Sequence, residues 1–307
     1  MPISASLSTD AGYALYTYYN YIKAWVIRSE NTYGSGQKGI DNLVNKMKSI
    51  ASVNDLKADI WCSDELRSNY LRGRYTLLFM STLPINDHPE LALSANMWLP
   101  VQSYYAIHGV GLALLTVLKQ PAKNHSTFRA CFAALLRSFF PPPFCACCKG
   151  GPSPSSFSYT AICTSAAHVA KQSNIANPKF SEVDHFLGKS LATTRNRNIK
   201  EQLDKERRKN RKGTKRRKLS VANQQEICQK LHDTTICDLI YRMRVRSNYE
   251  NPEMYLFASD NLEDAASHYK DLLYLTNLII AGLDLLIEKK IGKLERTKLT
   301  GIIASVK

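Results

Sequence analysis

The stretch ICDLIYRMRVRSNYE, residues 236–250, decides the predicted fold, because it can be read as a strand or as a helix. On a strand, the alternating Arg242, Arg244 and Arg246 would share one face. The apolar residues, however, recur at i, i+3, i+4 and i+7, the spacing of one buried helical stripe. They are Ile236, Leu239, Ile240 and Met243. The stretch is therefore predicted to be a core helix with cationic groups on both of its flanks.

The two flanks of this helix carry different groups, because each residue turns the helix by about 100°. Arg242, Arg246 and Tyr249 fall within roughly 60° of one another on one flank. Arg244 and Asn248 lie on the other flank as i and i+4 neighbours, so their side chains can meet. An arginine on such a helix shoulder is expected to contribute little to packing.

Helical spacing of apolar residues recurs along most of the chain, which predicts an all-α fold. The predicted helices are 11–28, 39–53, 64–80, 94–120, 124–140 and 262–290, besides the one that begins near 236. Asp260 or Asn261 is well placed to cap the last helix. Pro141, Pro142 and Pro143 end the helix before them, because proline cannot continue an α-helix.

Composition divides the chain into four segments. Residues 1–90 are predicted to be an N-terminal helical extension, and 91–140 the first half of a helical bundle. Residues 141–224 form an insert that is rich in Cys, Pro, Gly and Ser as far as about residue 194 and ends in a basic arm. Residues 225–307 supply the second half of the bundle and a C-terminal tail. We expect the two halves to pack together across the insert.

The charge of the chain favours a polyanionic partner. Its 41 Lys and Arg against 26 Asp and Glu give a net charge of +15. Residues 195–218 hold thirteen basic and three acidic residues, or +10 of that excess. We name this segment the basic arm. Its cations are Arg195, Arg197, Lys200, Lys205, Arg207, Arg208, Lys209, Arg211, Lys212, Lys215, Arg216, Arg217 and Lys218.

Nucleic acid is a better partner for the basic arm than a membrane surface. A membrane-bound helix needs a broad face of large apolar residues. The arm and its flank offer only Ile199, Leu203 and Leu219. We therefore expect the arm, with Arg242 and Arg246, to contact nucleic acid phosphates. A solvated charged helix without a specific ligand is the alternative.

Cysteine usage and hydropathy predict a soluble cytoplasmic protein. The chain has eight cysteines and shows no secretory signal at its N-terminus, which suggests reduced thiols. Its most apolar window, 272–287, is short for a membrane span and includes Asn277 and Asp284.

A cluster of cysteines raises the possibility of a zinc site. Cys145, Cys147 and Cys148, with Cys163 and His168 downstream, supply enough sulfur and nitrogen for one tetrahedral ion. Structural zinc sites, however, pair their ligands as C-x2-C, whereas the spacing here is C-x-C-C. Buried or loop thiols are the favoured interpretation, and no metal or cofactor is predicted. No hydrolase motif or glycine-rich nucleotide loop occurs either.

Four short motifs, separated by predicted helices, occur in a defined order. They are Tyr104, Tyr105, Ala106 and His108; Lys123, His125 and Phe128; Arg244, Ser247, Asn248 and Tyr249; and LEDAASHY, residues 262–269. In this order the chain resembles the HEPN superfamily. The similarity is to its branch of small helical proteins that are often encoded beside minimal nucleotidyltransferases.

The resemblance implies a helical bundle that binds RNA as a homodimer, in a bacterial defence or toxin–antitoxin system. A metal-independent ribonuclease toxin and a subunit that pairs with a nucleotidyltransferase or effector protein are the alternatives. Active HEPN ribonucleases carry a histidine four to six residues after an arginine, and no histidine stands there in this chain. The candidate catalytic residues are Arg244 for the phosphate charge, His125 for proton transfer, and Asn248 and Tyr249 beside them.

Overall fold

Helices make up most of the computed structural model, which describes residues 5–58, 63–162, 180–209, 218–250 and 262–304. The helices are α1 (Ala5–Tyr33), α2 (Gly36–Lys48), α3 (Ala51–Asn54), α4 (Asp64–Thr82), α5 (Leu91–Val117), α6 (His125–Phe139), α7 (Phe180–Lys209), α8 (Val221–Lys230), α9 (Ile236–Val245), α10 (Leu262–Ile291) and α11 (Lys293–Ala304). A π-helical turn, Arg246–Glu250, continues α9, and a short 3-10 helix covers Pro154–Ser156. The predicted all-α class is confirmed for these residues.

Several helices begin at side-chain caps that the sequence supplies. The hydroxyl of Ser63 accepts a hydrogen bond from the Leu66 N–H at 3.1 Å, and Asn124 Oδ1 accepts from the Thr127 N–H at 2.9 Å. Ser220 caps α8 in the same way. Such caps satisfy N–H groups that have no partner inside the helix. The cap at Asn124 fixes the first turn of α6, which belongs to the site described below.

Helix α5 is central to the fold, because α4, α9 and α10 all pack against it. Two glycines allow α4 to cross α5 closely. A Cβ on Gly73 would lie 2.6 Å from the carbonyl oxygen of Ala106, and a Cβ on Gly109 would lie 2.8 Å from the Cα of Gly73. Neither position has room for a side chain.

One hydrophobic core draws on all four sequence segments. The contacts of α5 with α9 and α10 join the two halves of the bundle, as expected. The N-terminal segment enters the same core through Trp25, which is fully buried and donates to Ser190 Oγ of α7 at 3.2 Å. The insert contributes Phe144 and Leu187 to it. The segment boundaries therefore do not separate independent cores.

The insert is more regular than its composition suggests. A two-stranded antiparallel hairpin pairs β1 (Cys147–Lys149) with β2 (Ser158–Thr160). The prediction of irregular structure up to residue 194 is wrong, because α7 already begins at Phe180. A buried stripe at helical spacing explains this helix: Val183, Phe186, Leu187 and Leu191. The Pro- and Ser-rich residues before it obscured that signal.

Two further predictions concern the caps of α10 and the absence of a membrane-spanning helix. Asp260 and Asn261, the predicted caps of α10, lie outside the described residues. Among the helices that the structure describes, none combines the length and the apolarity needed to cross a membrane.

Candidate functional site

Aromatic, histidine and arginine side chains meet where α5, α6 and α9 come together. We name this cluster the aromatic pocket; it consists of Tyr104, Tyr105, His108, His125, Phe128, Tyr241 and Arg244. Tyr104 lies at its centre, with ring centroids 5.5 Å from His108, 5.5 Å from His125 and 5.2 Å from Tyr241. The fold thus brings Arg244 and His125 to one place from distant parts of the sequence.

His125 is held by Tyr104 at the half-buried edge of the pocket. The Tyr104 hydroxyl and His125 Nδ1 lie 2.9 Å apart and share one hydrogen bond. Burial raises the pKa of Tyr104, so the hydroxyl keeps its proton at neutral pH. Burial, together with the charges of Arg244 and Arg129, lowers the pKa of His125. Its Nε2 has no hydrogen-bond partner among the described residues.

His108 is a second neutral imidazole in the pocket. Burial lowers its pKa to about 4, and the charges of His125, Arg244 and Arg72 act in the same direction. Neither histidine therefore carries a charge at neutral pH. The positive charge of the pocket comes from Arg244.

Arg244 is buried among the side chains of the aromatic pocket and does not lie on an exposed helix shoulder. The prediction that it contributes little to packing is therefore wrong. It is only 5% exposed, and its Nη2 donates to the Tyr105 hydroxyl at 2.7 Å. Its guanidinium carbon lies 5.4, 5.0 and 5.5 Å from the ring centroids of Tyr104, Tyr105 and Tyr241. Its Nε is buried without a partner, and no carboxylate of the described residues pairs with it.

The π-helical turn changes which residues share a flank with Arg244. In a π-turn the hydrogen bonds run from i to i+5, so the turn is wider than in an α-helix. Tyr249, five residues on, consequently lies with its ring centroid 5.9 Å from the Arg244 guanidinium carbon. Its side chain is 71% exposed. The predicted pairing of Arg244 with Asn248 is not seen, since no hydrogen bond joins them in the part of the chain described.

Arg242 and Arg246 do share a flank, as predicted. Their guanidinium carbons lie 5.5 and 5.6 Å from the ring centroid of Tyr18. Arg246 also lies 3.7 Å from a carboxylate oxygen of Glu250. Tyr249 was predicted on this flank and lies with Arg244 instead, because of the π-turn.

The buried carboxylate of Asp238 holds side chains that pack against the aromatic pocket. Its Oδ1 lies 3.0 Å from Arg129 Nη1 and 2.9 Å from His232 Nε2, and its Oδ2 accepts from the Thr235 N–H at 2.9 Å. Arg129 in turn stacks on Tyr241, with 4.2 Å between its guanidinium carbon and the ring centroid. Asn198 of α7 also reaches Asp238 Oδ1, at 3.5 Å. We name Asp238 and the side chains of Arg129, Asn198, His232 and Thr235 the carboxylate network.

Asp238 is charged in this network. Burial alone would raise its pKa, but the hydrogen bond and charge of His232, the Arg129 guanidinium and the Thr235 N–H together lower it. Sequence reasoning missed the carboxylate network. The spacing of Thr235 and Asp238, which is that of a capping box before an apolar run, was a usable signal for it.

The basic arm divides into structural and free cations. Arg195 is 2% exposed and donates to the carbonyl oxygens of Gly150, His232 and Cys228, so its predicted contact with nucleic acid is corrected to a structural role. Arg197 pairs with Glu201 and Glu250, and Arg207 pairs with Asp204 at 3.2 Å. Four arm cations are exposed and have no carboxylate partner among the described residues. They are Lys200, Lys205, Arg208 and Lys218.

Most of the remaining arm cations and part of the cysteine cluster lie outside the residues that the structure describes. Lys209 ends α7, while Arg211, Lys212, Lys215, Arg216 and Arg217 fall outside the described residues, as do Cys163 and His168. Cys147 and Cys148 lie in β1, and burial raises the pKa of the Cys148 thiol to about 12. Within the described ranges, no group of three potential metal ligands is found.

The function of this site has to be inferred from its geometry, since known proteins give no guide. No protein-family model, no curated protein and no solved structure matches this chain.

A first testable prediction follows from the carboxylate network. Replacing Asp238 with Asn removes the buried negative charge that pairs with the Arg129 guanidinium, and we expect a loss of about 3–5 kcal/mol in the free energy of unfolding. Because the pKa of Asp238 is lowered in the folded protein, its contribution is present above the usual aspartate pKa of about 4 and is lost as pH falls through the folded value. Urea denaturation at several pH values between about 2.5 and 7 measures this.

The control for this experiment is Asp41→Asn, at an exposed carboxylate of α2. We expect it to change stability by less than about 0.5 kcal/mol at every pH. A stability difference between wild type and Asp238→Asn that did not shrink at acid pH would contradict the assignment of a charged Asp238.

Proposed function

We propose that this chain binds RNA by placing a backbone phosphate on Arg244 in the aromatic pocket. The observation that carries this proposal is the buried guanidinium of Arg244, which has no carboxylate partner in the described chain. A buried charge without a partner costs several kcal/mol. A phosphate supplies the missing negative charge and accepts charge-assisted, bidentate hydrogen bonds from a guanidinium.

A comparison with the other buried arginines supports this choice of site. Arg129 has Asp238 and Asn198 as acceptors, and Arg195 has three carbonyl oxygens. Among the described residues, Arg244 donates only to a tyrosine hydroxyl. It is therefore the buried arginine in the described chain that is best prepared to receive an external anion.

The surroundings favour a nucleic acid over a small anion. Tyr249 is exposed, and Tyr105 and Tyr241 are half-buried, so aromatic faces on which bases can stack lie beside the phosphate position. The four free cations of the basic arm add a second set of phosphate contacts. The choice of RNA, the homodimer and a role in bacterial defence or toxin–antitoxin systems follow the HEPN-like resemblance and belong to the same proposal.

Replacing Arg244 with Met tests the phosphate position. Methionine keeps an apolar contact with the surrounding rings while it removes the buried charge. We expect affinity for a labelled single-stranded RNA to fall by about tenfold or more, since a hydrogen bond to a charged group contributes about 1.5–3 kcal/mol. The melting temperature should stay the same or rise, because a buried charge without a partner is removed. Fluorescence anisotropy and circular dichroism measure the two effects.

Arg129→Met is the matched variant, because this arginine is equally buried but has a carboxylate partner. It should lower the melting temperature strongly by leaving Asp238 without its guanidinium. If Arg244→Met destabilised the protein as much and RNA affinity were unchanged, Arg244 would have only a structural role.

The free cations of the arm give a salt-dependent prediction. We expect the double variant Lys205→Ala, Arg208→Ala to reduce the slope of log K against log salt concentration by about 1.4, because each phosphate that is no longer neutralised on a single strand lowers the slope by roughly 0.7. Arg197→Ala should leave the slope unchanged, because Glu201 and Glu250 already match its charge. A slope that is the same in the double variant and wild type would show that this end of α7 is only a solvated face.

Metal-independent RNA cleavage is a second candidate function, and the position of His125 favours it. A neutral imidazole with Nε2 free is suited to accept the proton of a ribose 2′-hydroxyl. The 2′-oxygen then attacks phosphorus and the bond between phosphorus and the 5′-oxygen of the next nucleotide breaks. That oxygen leaves with a proton from water, and a 2′,3′-cyclic phosphate forms. The guanidinium of Arg244 stabilises the added negative charge on phosphorus.

An assay in EDTA separates cleavage from binding. We expect wild type to convert labelled RNA to products with cyclic phosphate ends, and His125→Gln to do so at least about 100-fold more slowly. His88→Gln, at an exposed loop histidine, is the control and should cleave like wild type. If wild type binds RNA and leaves it intact in every buffer, the chain binds without cleaving.

A further inference from the structure

The flank of α9 that carries Arg242 and Arg246 meets two tyrosines of α1. The guanidinium carbons of the two arginines lie 5.5 and 5.6 Å from the ring centroid of Tyr18, so two like charges lie against one ring. Tyr21, one turn further along α1, packs edge-on against Tyr18, with 6.3 Å between the ring centroids. We name Tyr18, Tyr21, Arg242 and Arg246 the tyrosine–arginine cluster.

One positive charge of this cluster is not matched by a carboxylate. Glu250 lies 3.7 Å from Arg246 and also contacts Arg197 of α7, which pairs with Glu201 at 2.8 Å. Three guanidinium groups thus lie beside two carboxylates. Arg242 is the arginine among them that makes no ion pair with any described residue.

Two polar atoms of the cluster are buried without a hydrogen bond. They are the Tyr18 hydroxyl oxygen and Arg242 Nη1, and neither has a partner among the described residues. Tyr18 as a whole is only 1% exposed. A buried polar group that makes no hydrogen bond costs free energy, and both of these groups can donate one. The cluster therefore offers two unused donors from two different helices.

The cluster is enclosed on its inner side and reaches solvent on its outer side. Burial raises the pKa of Tyr21, which the charge of Arg242 and the nearby Tyr18 hydroxyl also influence, so these three groups lie close together. Towards the surface, the side chains of Arg246 and Glu250 are partly exposed. An anion can therefore enter beside Arg246 and approach the unmatched guanidinium of Arg242.

We infer that the tyrosine–arginine cluster binds a phosphate group, which Arg242 holds by its charge and Tyr18 by a hydrogen bond from its hydroxyl. A phosphate supplies the missing negative charge, and its several oxygens can accept from both donors at once. This site is separate from the phosphate position on Arg244 and does not depend on it. The phosphate group belongs either to an RNA backbone or to a free phosphate ion or nucleotide.

The test measures melting temperatures in potassium phosphate and in potassium chloride of equal ionic strength. All variants carry Arg244→Met, which removes the phosphate position in the aromatic pocket. Phosphate should raise the melting temperature of this parent. The rise should be smaller by about 2 °C after Tyr18→Phe or Arg242→Met, at a phosphate concentration roughly tenfold above the Kd. The general stabilisation that phosphate gives to any protein is common to all variants, so it cancels in this difference.

Tyr18→Phe also tests whether the hydroxyl has a structural role. Because it removes a buried hydroxyl without a partner, the melting temperature in chloride should stay the same or rise. Tyr269→Phe is the matched control, since the Tyr269 hydroxyl donates to the Met80 carbonyl oxygen at 2.5 Å. It should melt at a lower temperature in both salts and keep the full phosphate effect. A phosphate effect that neither Tyr18→Phe nor Arg242→Met reduces would overturn the inference, and so would a lower melting temperature of Tyr18→Phe in chloride.

Anisotropy titrations of a labelled single-stranded RNA identify the source of the phosphate group. If the RNA backbone supplies it, Tyr18→Phe and Arg242→Met in the otherwise wild-type chain should each weaken RNA binding by about tenfold or more. Loss of the phosphate effect with unchanged RNA affinity would assign the site to a free phosphate ion or nucleotide. Unchanged RNA binding by Arg244→Met would overturn the proposed function and leave this site standing, because the melting experiment uses no RNA.

Discussion

The carboxylate of Asp238 is the interaction on which the rest of the site depends. It is fully buried at the start of α9 and receives hydrogen bonds from α6, from α7 and from the residues that precede α9. Arg129, one of its partners, also stacks on Tyr241, which belongs to the aromatic pocket. One ionised group therefore connects α6, α7 and the start of α9 next to the aromatic pocket.

The arginines of this protein illustrate how the same side chain serves different purposes. Arg195 donates to three backbone carbonyl oxygens, and Arg129 pairs with the carboxylate of Asp238, so both act as internal connections between segments. Arg244 is buried as deeply but surrounded by aromatic faces, which solvate a cation only weakly. Such a placement costs free energy in the isolated chain, and the phosphate proposed above would offset that cost.

Much of the fold could be predicted from apolar periodicity, because nearly every helix buries one stripe. The apolar stripe at 236–243 places α9 in the core. The short motifs of the resemblance contain Tyr104 and mark His125 and Arg244 as candidate site residues. The positions of Tyr249 and Asn248 could not be predicted, because regular helical geometry does not anticipate a π-turn. Nor could the burial of Arg195, since a run of charges gives no sign that one member points inward.

Because the start of the basic arm is held at the site, the rest of α7 keeps its cations at fixed distances from that site. Asn198 touches Asp238, and Arg197 pairs with Glu250 at the end of the π-turn, so this part of α7 is tied to the site. From Asn198 to Arg208 a helix rises about 15 Å. The free cations on it therefore lie at fixed distances from Arg244, so an RNA strand that binds as proposed must exceed a minimum length to contact both.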